Sequence, residues 1–238
     1  MCVLFIAYRR HPRYPLIVLA NRDEFYDRPT APAARWEDHT HVTAGRDLVA
    51  GGTWLGISDG GRFAAVTNFR DPNRPDGTIS RGRLVADILI QNAPAAEYIE
   101  AIAGRAGHYS GFNLVVADQA GVHYFSNALD RPPQKLEPGF YGLSNHLLNT
   151  PWPKVSSGLT AFEKLIESDD FSEEAAFALL LDETLAADDE LPDTGIGLDK
   201  ERLLSSIFIR SPIYGTRSST VVLADQDWNL QLEERVHV

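Results

Sequence analysis

Two short stretches near the start of the chain carry residue types that could do covalent chemistry together. The only cysteine is Cys2, directly behind Met1, and the apolar run Leu16–Ala20 ends in four consecutive polar residues, Asn21, Arg22, Asp23 and Glu24. If Met1 is removed, Cys2 bears both a thiol and a free α-amine, and an amine of pKa about 8 can act as general base for a thiol nucleophile. One residue would then supply nucleophile and base, with Arg22 and Asp23 beside it to orient it.

Alternation along a strand puts Asn21 and Asp23 on one face and Arg22 and Glu24 on the other, so the four cannot all serve one pocket. Arg22 is expected to face the site beside Cys2. At least one carboxylate should bond backbone amides of the following segment, because polar groups at the end of an apolar strand are costly to bury unpaired. Each feature also has a plainer structural alternative. A strand cysteine can be a small buried hydrophobe, Arg22 with Asp23 or Glu24 can be a salt bridge closing a hairpin, and Trp54 and Trp152 suit core packing. The seven histidines show no metal-ligand spacing, and Gly51-Gly52 lacks the lysine and helix of a phosphate loop.

Composition narrows the function classes. The 238 residues are 44% hydrophobic and 23% charged, as in a globular chain with a sizeable core, and no linker or charge block divides them. A single domain over residues 1–238 is expected. The net charge of −11 repels phosphate backbones, which argues against nucleic acid as a partner. One cysteine cannot form an internal disulfide or a thiolate metal cage, which fits a reducing compartment. Residues 2 to 8 are apolar but too short to span a bilayer, and Arg9, Arg10 and Arg13 follow them instead of preceding them as in a signal peptide. No integral membrane segment and a cytoplasmic location are expected.

The elements that must position these residues read as hairpins and helix pairs. Strands are expected at Cys2–Tyr8 and Leu16–Asn21, at Thr53–Ser58 and Arg62–Asn68 about Asp59-Gly60-Gly61, at Phe112–Ala117 and Val122–Phe125, at Phe140–Ser144, and at Ser218–Ala224 and Trp228–Glu233. Residues 25–50, rich in proline, alanine and short polar residues without a period, read as an ordered surface loop. Ser80 is placed to cap a helix bearing Leu84, Val85, Ile88 and Leu89, and Pro94 opens another with Tyr98, Ile99 and Ile102. Helices are also expected over Pro153–Ser168 and Ser172–Leu181, the second capped by Ser172, and the acidic stretch Asp182–Asp193 as an exposed loop or lid. The pattern is α+β, with mainly antiparallel sheets covered by helices.

Six blocks in order resemble one family. Met1-Cys2, Ala20-Asn21-Arg22-Asp23-Glu24 with Arg28-Pro29, Gly51-Gly52-Thr53-Trp54-Leu55-Gly56, Thr67-Asn68-Phe69-Arg70, Ser144-Asn145 with Thr150-Pro151-Trp152-Pro153-Lys154-Val155, and Gly215-Thr216-Arg217-Ser218-Ser219-Thr220 are similar to the NRDE family, which includes transport and Golgi organisation protein two. The likeness covers nearly the whole chain. It implies the N-terminal nucleophile (Ntn) hydrolase fold, a four-layer αββα sandwich shared with cysteine penicillin V acylases and bile salt hydrolases. Carried over residue by residue, it implies Cys2 as nucleophile, Arg22 and Asp23 as its orienting groups, Asn145 as an oxyanion donor with Asn68 as a second candidate, and Arg217 as a late site arginine.

The resemblance leaves two functions open. One is an amidase or acyltransferase acting on a linear amide or acyl bond, with no cofactor required. The other is a non-catalytic carrier using the same pocket for heme as cargo, an acyl-CoA or another lipid-like ligand. In the carrier, Arg22 and Arg217 would pair with ligand carboxylates or phosphates, and Cys2 or His146 would be the axial candidates for heme iron.

Overall fold

The first hairpin is the centre of the architecture in the computed structural model, which describes residues 2–91, 93–168 and 171–238. Met1, whose removal the nucleophile reading needs, lies outside the described residues. β1 (Cys2–Tyr8) and β2 (Leu16–Phe25) pair antiparallel, with Cys2 opposite Arg22 and Tyr8 opposite Leu16. Their alternation loads two cores at once. Cys2, Leu4, Ile6 and Tyr8 of β1 and Leu16, Val18 and Ala20 of β2 point into one cluster, while Val3, Phe5, Ala7, Ile17 and Leu19 point into another. Each fully buried large apolar side chain contributes about 1.5–3 kcal/mol, and a one-residue slip would exchange every face, so the register at Cys2 and Arg22 is strongly pinned.

The remaining strands are β3 (Thr30–Arg35), β4 (Val42–Asp47), β5 (Leu55–Ser58), β6 (Arg62–Asn68), β7 (Phe112–Asp118), β8 (Gly121–Ser126), β9 (Gln134–Lys135), β10 (Gly139–Leu143), β11 (Tyr214–Ala224) and β12 (Leu230–Val236). They form a five-stranded sheet in the order β10-β1-β2-β11-β12 and a seven-stranded sheet running β3 to β9 in sequence order. All the strand pairs within the sheets are antiparallel.

The helices are α1 (Gly82–Ile90), α2 (Ala95–Ala103), α3 (Pro153–Glu167), α4 (Glu173–Leu180) and α5 (Leu198–Leu203). Leu84, Val85 and Ile88 of α1 and Ile99 and Ile102 of α2 pack on Val66, Leu114 and Val116 of the larger sheet. Phe162 and Ile166 of α3 and Phe177 and Leu180 of α4 cover Val3, Phe5 and Leu19 of the smaller one. Between the sheets lie Leu4, Ile6 and Val18 against Leu55, Phe63 and Val115. The layers are therefore helices, sheet, sheet, helices, the αββα sandwich that the resemblance implied.

Two local expectations fail for identifiable reasons, and a third holds in part. Residues 25–50 are not a loop throughout, since β3 and β4 extend the larger sheet. β3 is an edge strand, and its register shifts between Ala31 and Ala34, so Pro32 falls at an irregularity where its missing N–H costs little. Ser80 does not cap α1; the preceding residue is Arg81, in helical conformation, and no side chain accepts from the first turn. The acidic segment 182–193 is mostly exposed, as expected, with Glu183 paired to Arg210 and Asp188 to Arg202, but none of it lines the cleft beside Cys2. The six-residue α5 that follows was not anticipated.

Candidate active site

A cleft of about 450 Å³ opens where β1 begins at Cys2 and is lined by residues that include Cys2, Arg22, Asp23, Glu24, Thr53, Trp54, Asn68 and the Asp76–Gly82 segment. Cys2 and Arg22 reach it together because they are a cross-strand pair on the inter-sheet face. Arg22 is only 6% exposed and its guanidinium lies over the Trp54 ring at 4.1 Å. That indole fits because Gly45 on β4 has no side chain; a Cβ there would come within 2.2 Å of Trp54 Cη2. Arg22 Nη1 is buried without a hydrogen-bond partner among the described residues. Burial lowers the Arg22 pKa, and the nearby Cys2 and Glu24 charges oppose that.

Burial pushes the Cys2 thiol up, with the Asp23 charge adding to the rise and Arg22 and a hydrogen bond involving the Asp23 backbone opposing it. Its thiolate therefore needs help from neighbouring groups or from a base.

Asp23 occupies the opposite face of β2. Thr216 Oγ1 on β11 donates to Asp23 Oδ1 at 2.7 Å and in turn accepts from the Ile209 amide at 2.9 Å. Asp23 pKa is raised, first by burial, with Lys154 chief among the charges that counter it. Lys154, in the first turn of α3, is 3% exposed, and its Nζ has no hydrogen-bond acceptor among the described residues. Burial pushes Lys154 down to about 8, held up by the charges of Asp23 and Cys2 and lowered further by Arg70. Close to these, Arg70 Nη1 donates to Glu201 at 2.7 Å in an ion pair whose side chains are 8% and 4% exposed. Sequence reading quoted Lys154 and Arg70 in motif blocks but gave neither a role and missed Glu201. A lysine in a helix's first turn gives no sign of burial in the sequence, because charged residues are normally exposed.

Of the expected carboxylate support, Glu24 accepts from the Phe25 amide at 2.9 Å, while Asp23 takes the Thr216 hydroxyl instead of a loop amide. Asn21 is structural. It donates to the carbonyls of Leu180 and Ile207 at 2.8 and 2.9 Å and accepts from Ser219, fastening β2 to α4.

The two asparagine blocks meet across the sheets. Thr67 Oγ1 donates to the Ser144 carbonyl at 2.7 Å, Asn145 Nδ2 to the Asn68 carbonyl at 3.0 Å, and the Arg70 amide to the Asn145 carbonyl at 2.7 Å. Asn68 lines the Cys2 cleft, whereas Asn145 is fully buried and borders a neighbouring cavity of about 280 Å³. Arg217 sits at the bulge in β11 between Thr216 and Ser218 and donates to the carbonyls of Phe25 and Arg28. It tethers the segment after β2 and is not among the cleft-lining residues. His146 bonds Thr150 through Nδ1 at 2.8 Å and lies between Phe69 and Trp152, with ring centroids at 5.0 and 5.6 Å; it too is outside the cleft lining.

An apolar groove of about 390 Å³ adjoins the cleft through Glu24 and Asn68, with Phe25, Leu203, Leu204, Ile213 and Tyr214 in its walls. Among the described residues no three His, Cys, Asp or Glu side chains come together as a metal site, and no helix is long and apolar enough to cross a membrane.

The two-sheet, four-layer sandwich is the fold that the resemblance to the Ntn hydrolases implied, and its first strand begins with a cysteine at a cleft. The chain superposes over its full length on the N-acylethanolamine-hydrolyzing acid amidase ortholog of Caenorhabditis elegans, covering 100% of both chains at a TM-score of 0.56 and 12% identity, a likeness of fold. The family model for Transport and Golgi organisation 2 matches residues 1–237, and the chain belongs to that family. It is 37% identical over 255 residues to the Transport and Golgi organization protein 2 homolog of Bos taurus, covering 99% of this chain and 92% of the relative, and 31% identical to the Drosophila melanogaster protein, covering 95% and 89%.

Proposed function

We propose that the protein is a cysteine amidase or acyltransferase of the N-terminal nucleophile type, acting on a linear amide or acyl bond through Cys2. The observation that carries this reading is the cross-strand pairing of Cys2 with the buried, cleft-lining Arg22 at the mouth of a cleft of about 450 Å³. With Met1 removed, the α-amine of Cys2 takes the thiol proton and the thiolate adds to the acyl carbonyl. Collapse of the tetrahedral adduct breaks the acyl bond, and the departing amine, thiol or alcohol takes the proton back from the α-amine. Water, or an acceptor nucleophile, then attacks the Cys2 thioester and releases the acyl group. Asn68 is the asparagine in the cleft wall that can donate to the oxyanion, and Asn145 holds Asn68 in place through its carbonyl; one such donor supplies about 3 kcal/mol. The adjoining apolar groove suits an acyl chain.

The test is intact mass followed by labelling with an acyl thiol-reactive probe. Mature protein should begin at Cys2 and be labelled there faster than free cysteine, and Cys2→Ala should abolish labelling. Quantitative retention of Met1 with no labelling would overturn the reading. The burial that raises the Cys2 thiol favours a second reading, a carrier for heme, acyl-CoA or a related lipid-like ligand, in which Cys2 does not act as a nucleophile. A Soret shift on heme addition that weakens in Cys2→Ala or His146→Ala would support direct ligation of heme.

A further inference from the structure

Two arginines of the cleft form no ion pair among the described residues, although four carboxylates line the same cleft. Each carboxylate already has a partner: Asp47 accepts from Arg28 at 2.7 Å, Asp76 from the Ser110 hydroxyl at 3.2 Å, Asp23 from Thr216 at 2.7 Å and Glu24 from the Phe25 amide at 2.9 Å. Arg22 and Arg81 are the cleft arginines that no carboxylate meets as an ion pair among the described residues. Arg22 is 6% exposed with Nη1 unpartnered. Arg81 spends Nη1 on the Gly111 carbonyl at 3.1 Å, and burial lowers its pKa.

The N-terminus of α1 adds to this. Ser80, Arg81 and Gly82 line the cleft, no side chain among the described residues caps the helix, and no acidic residue occupies its first turn; the Arg83 and Leu84 amides bond the Ser80 and Arg81 carbonyls, so the helix end contributes its dipole there with few free donors. The backbone at this wall has no room to shift. A Cβ on Gly52 would lie 2.5 Å from the Gly82 carbonyl carbon, and the Thr53 amide donates to the Gly82 carbonyl at 3.2 Å. A buried guanidinium with an unfilled donor is costly unless an anion completes it.

We propose that Arg22, Arg81 and the N-terminus of α1 form a binding site for one compact oxyanion, a carboxylate or a phosphate carried by the ligand of the cleft. From the functional reading it takes only that the cleft holds a ligand; it does not need Cys2 to react. It does narrow the substrate class, from acyl amides or esters at large to those bearing an anionic group. The two arginines present forked donors that match either oxyanion, and the helix end favours its charge.

The test is calorimetric titration of the Cys2→Ala protein, which cannot turn over, with N-octanoylglycine, octyl phosphate and the uncharged N-octanoylglycinamide. At least one anionic probe should bind about tenfold or more tightly than the amide, as a charge-assisted pair predicts, and raising NaCl from about 0.05 to about 0.5 M should weaken the anionic probe alone. Ranking the two anions tells a carboxylate site from a phosphate site. Arg81→Gln should erase most of the preference and Arg81→Lys should keep part of it. Because Arg81 is half-buried, its variants keep the test available if Arg22→Gln fails to fold. Equal binding of all three probes, no binding of any, or a preference that survives Arg81→Gln would overturn the site. Labelling of wild-type Cys2 is measured separately. Labelling without an anion preference would remove the site and leave the nucleophile, and the reverse result would do the opposite.

Discussion

The two faces of β2 put neighbouring residues into opposite electrostatic situations. Arg22 looks into a cleft, stacked on Trp54, with Nη1 unfilled among the described residues, whereas Asp23, on the other face, bonds Thr216 and is opposed by the charge of Lys154, which itself lies near Arg70. The cleft face holds a cation that forms no ion pair among the described residues; the other face sets the charges of Asp23 and Lys154 against each other, although Lys154 Nζ has no hydrogen-bond acceptor there. The two positions therefore differ in their main electrostatic neighbour, an aromatic ring for Arg22 and a buried lysine for Asp23. Nothing in the composition of Asn-Arg-Asp-Glu separates the two roles. The strand's period of two and the identity of the layer on each side do.

The largest expected effect breaks the supporting face. Lys154→Met leaves the Asp23 carboxylate buried without its main opposing charge and should cost about 3–5 kcal/mol in chemical denaturation near neutral pH. The pH dependence has a definite sign. Asp23 is raised in the folded state, so its cost is absent at pH below the unfolded carboxylate value and grows as pH rises toward the folded one. The variant should therefore lose least in acid. In the wild type Lys154 is pushed from 10.5 down to about 8, so between those values the unfolded chain binds more protons and stability rises with pH. Lys154→Met should flatten that rise.

Asp23→Asn combined with Lys154→Met should regain most of what the single change loses, with a coupling of at least about 2 kcal/mol; additive losses would mean that the two groups do not face each other. On the cleft face the sign changes. Arg22→Met should leave the denaturation midpoint within about 1 kcal/mol of wild type or raise it, while slowing labelling of Cys2, the exchange expected where a site holds an unfilled charge. A loss as large as that of Lys154→Met would erase the distinction between the faces. Smallest should be Glu24→Ala, at about 1 kcal/mol or less, because its single bond to the Phe25 amide is exposed.

Much of the scaffold was legible because periodicity and turn chemistry agree there. The β1–β2 hairpin, the Asp59-Gly60-Gly61 turn, the stripe of α1 and the Ser172 cap, which accepts from the Ala175 amide at 3.2 Å, all stand where local signals put them. β3 and β4 were not legible, because an alanine- and proline-rich edge strand owes its conformation to the neighbour it hydrogen-bonds to and not to its own propensities. The cap at Ser80 misled because the first turn of α1 is held by backbone carbonyls of Ser80 and Arg81.

At the site, Cys2, Arg22, Asp23 and Asn68 all line the cleft that sequence reading pointed to. Arg217 and His146 instead bond their own surroundings, since a motif block records which residues travel together and not which way a bulge or an aromatic stack turns them. Lys154 and Glu201 were invisible for a more general reason. Charged residues are normally exposed, and only the tertiary structure shows that two on distant segments bury together.

The glycine beneath Trp54 gives position 45 an influence that its own chemistry does not suggest. Adding one methyl group there would push on the indole, and the indole is the platform on which the Arg22 guanidinium rests. In a mutational scan Gly45→Ala should therefore cluster with the cleft substitutions and not with those of the strand it belongs to, although its Cα touches no ligand. Sequence drift at this one backbone position would retune the cation from two side chains away, leaving every residue of the cleft unchanged.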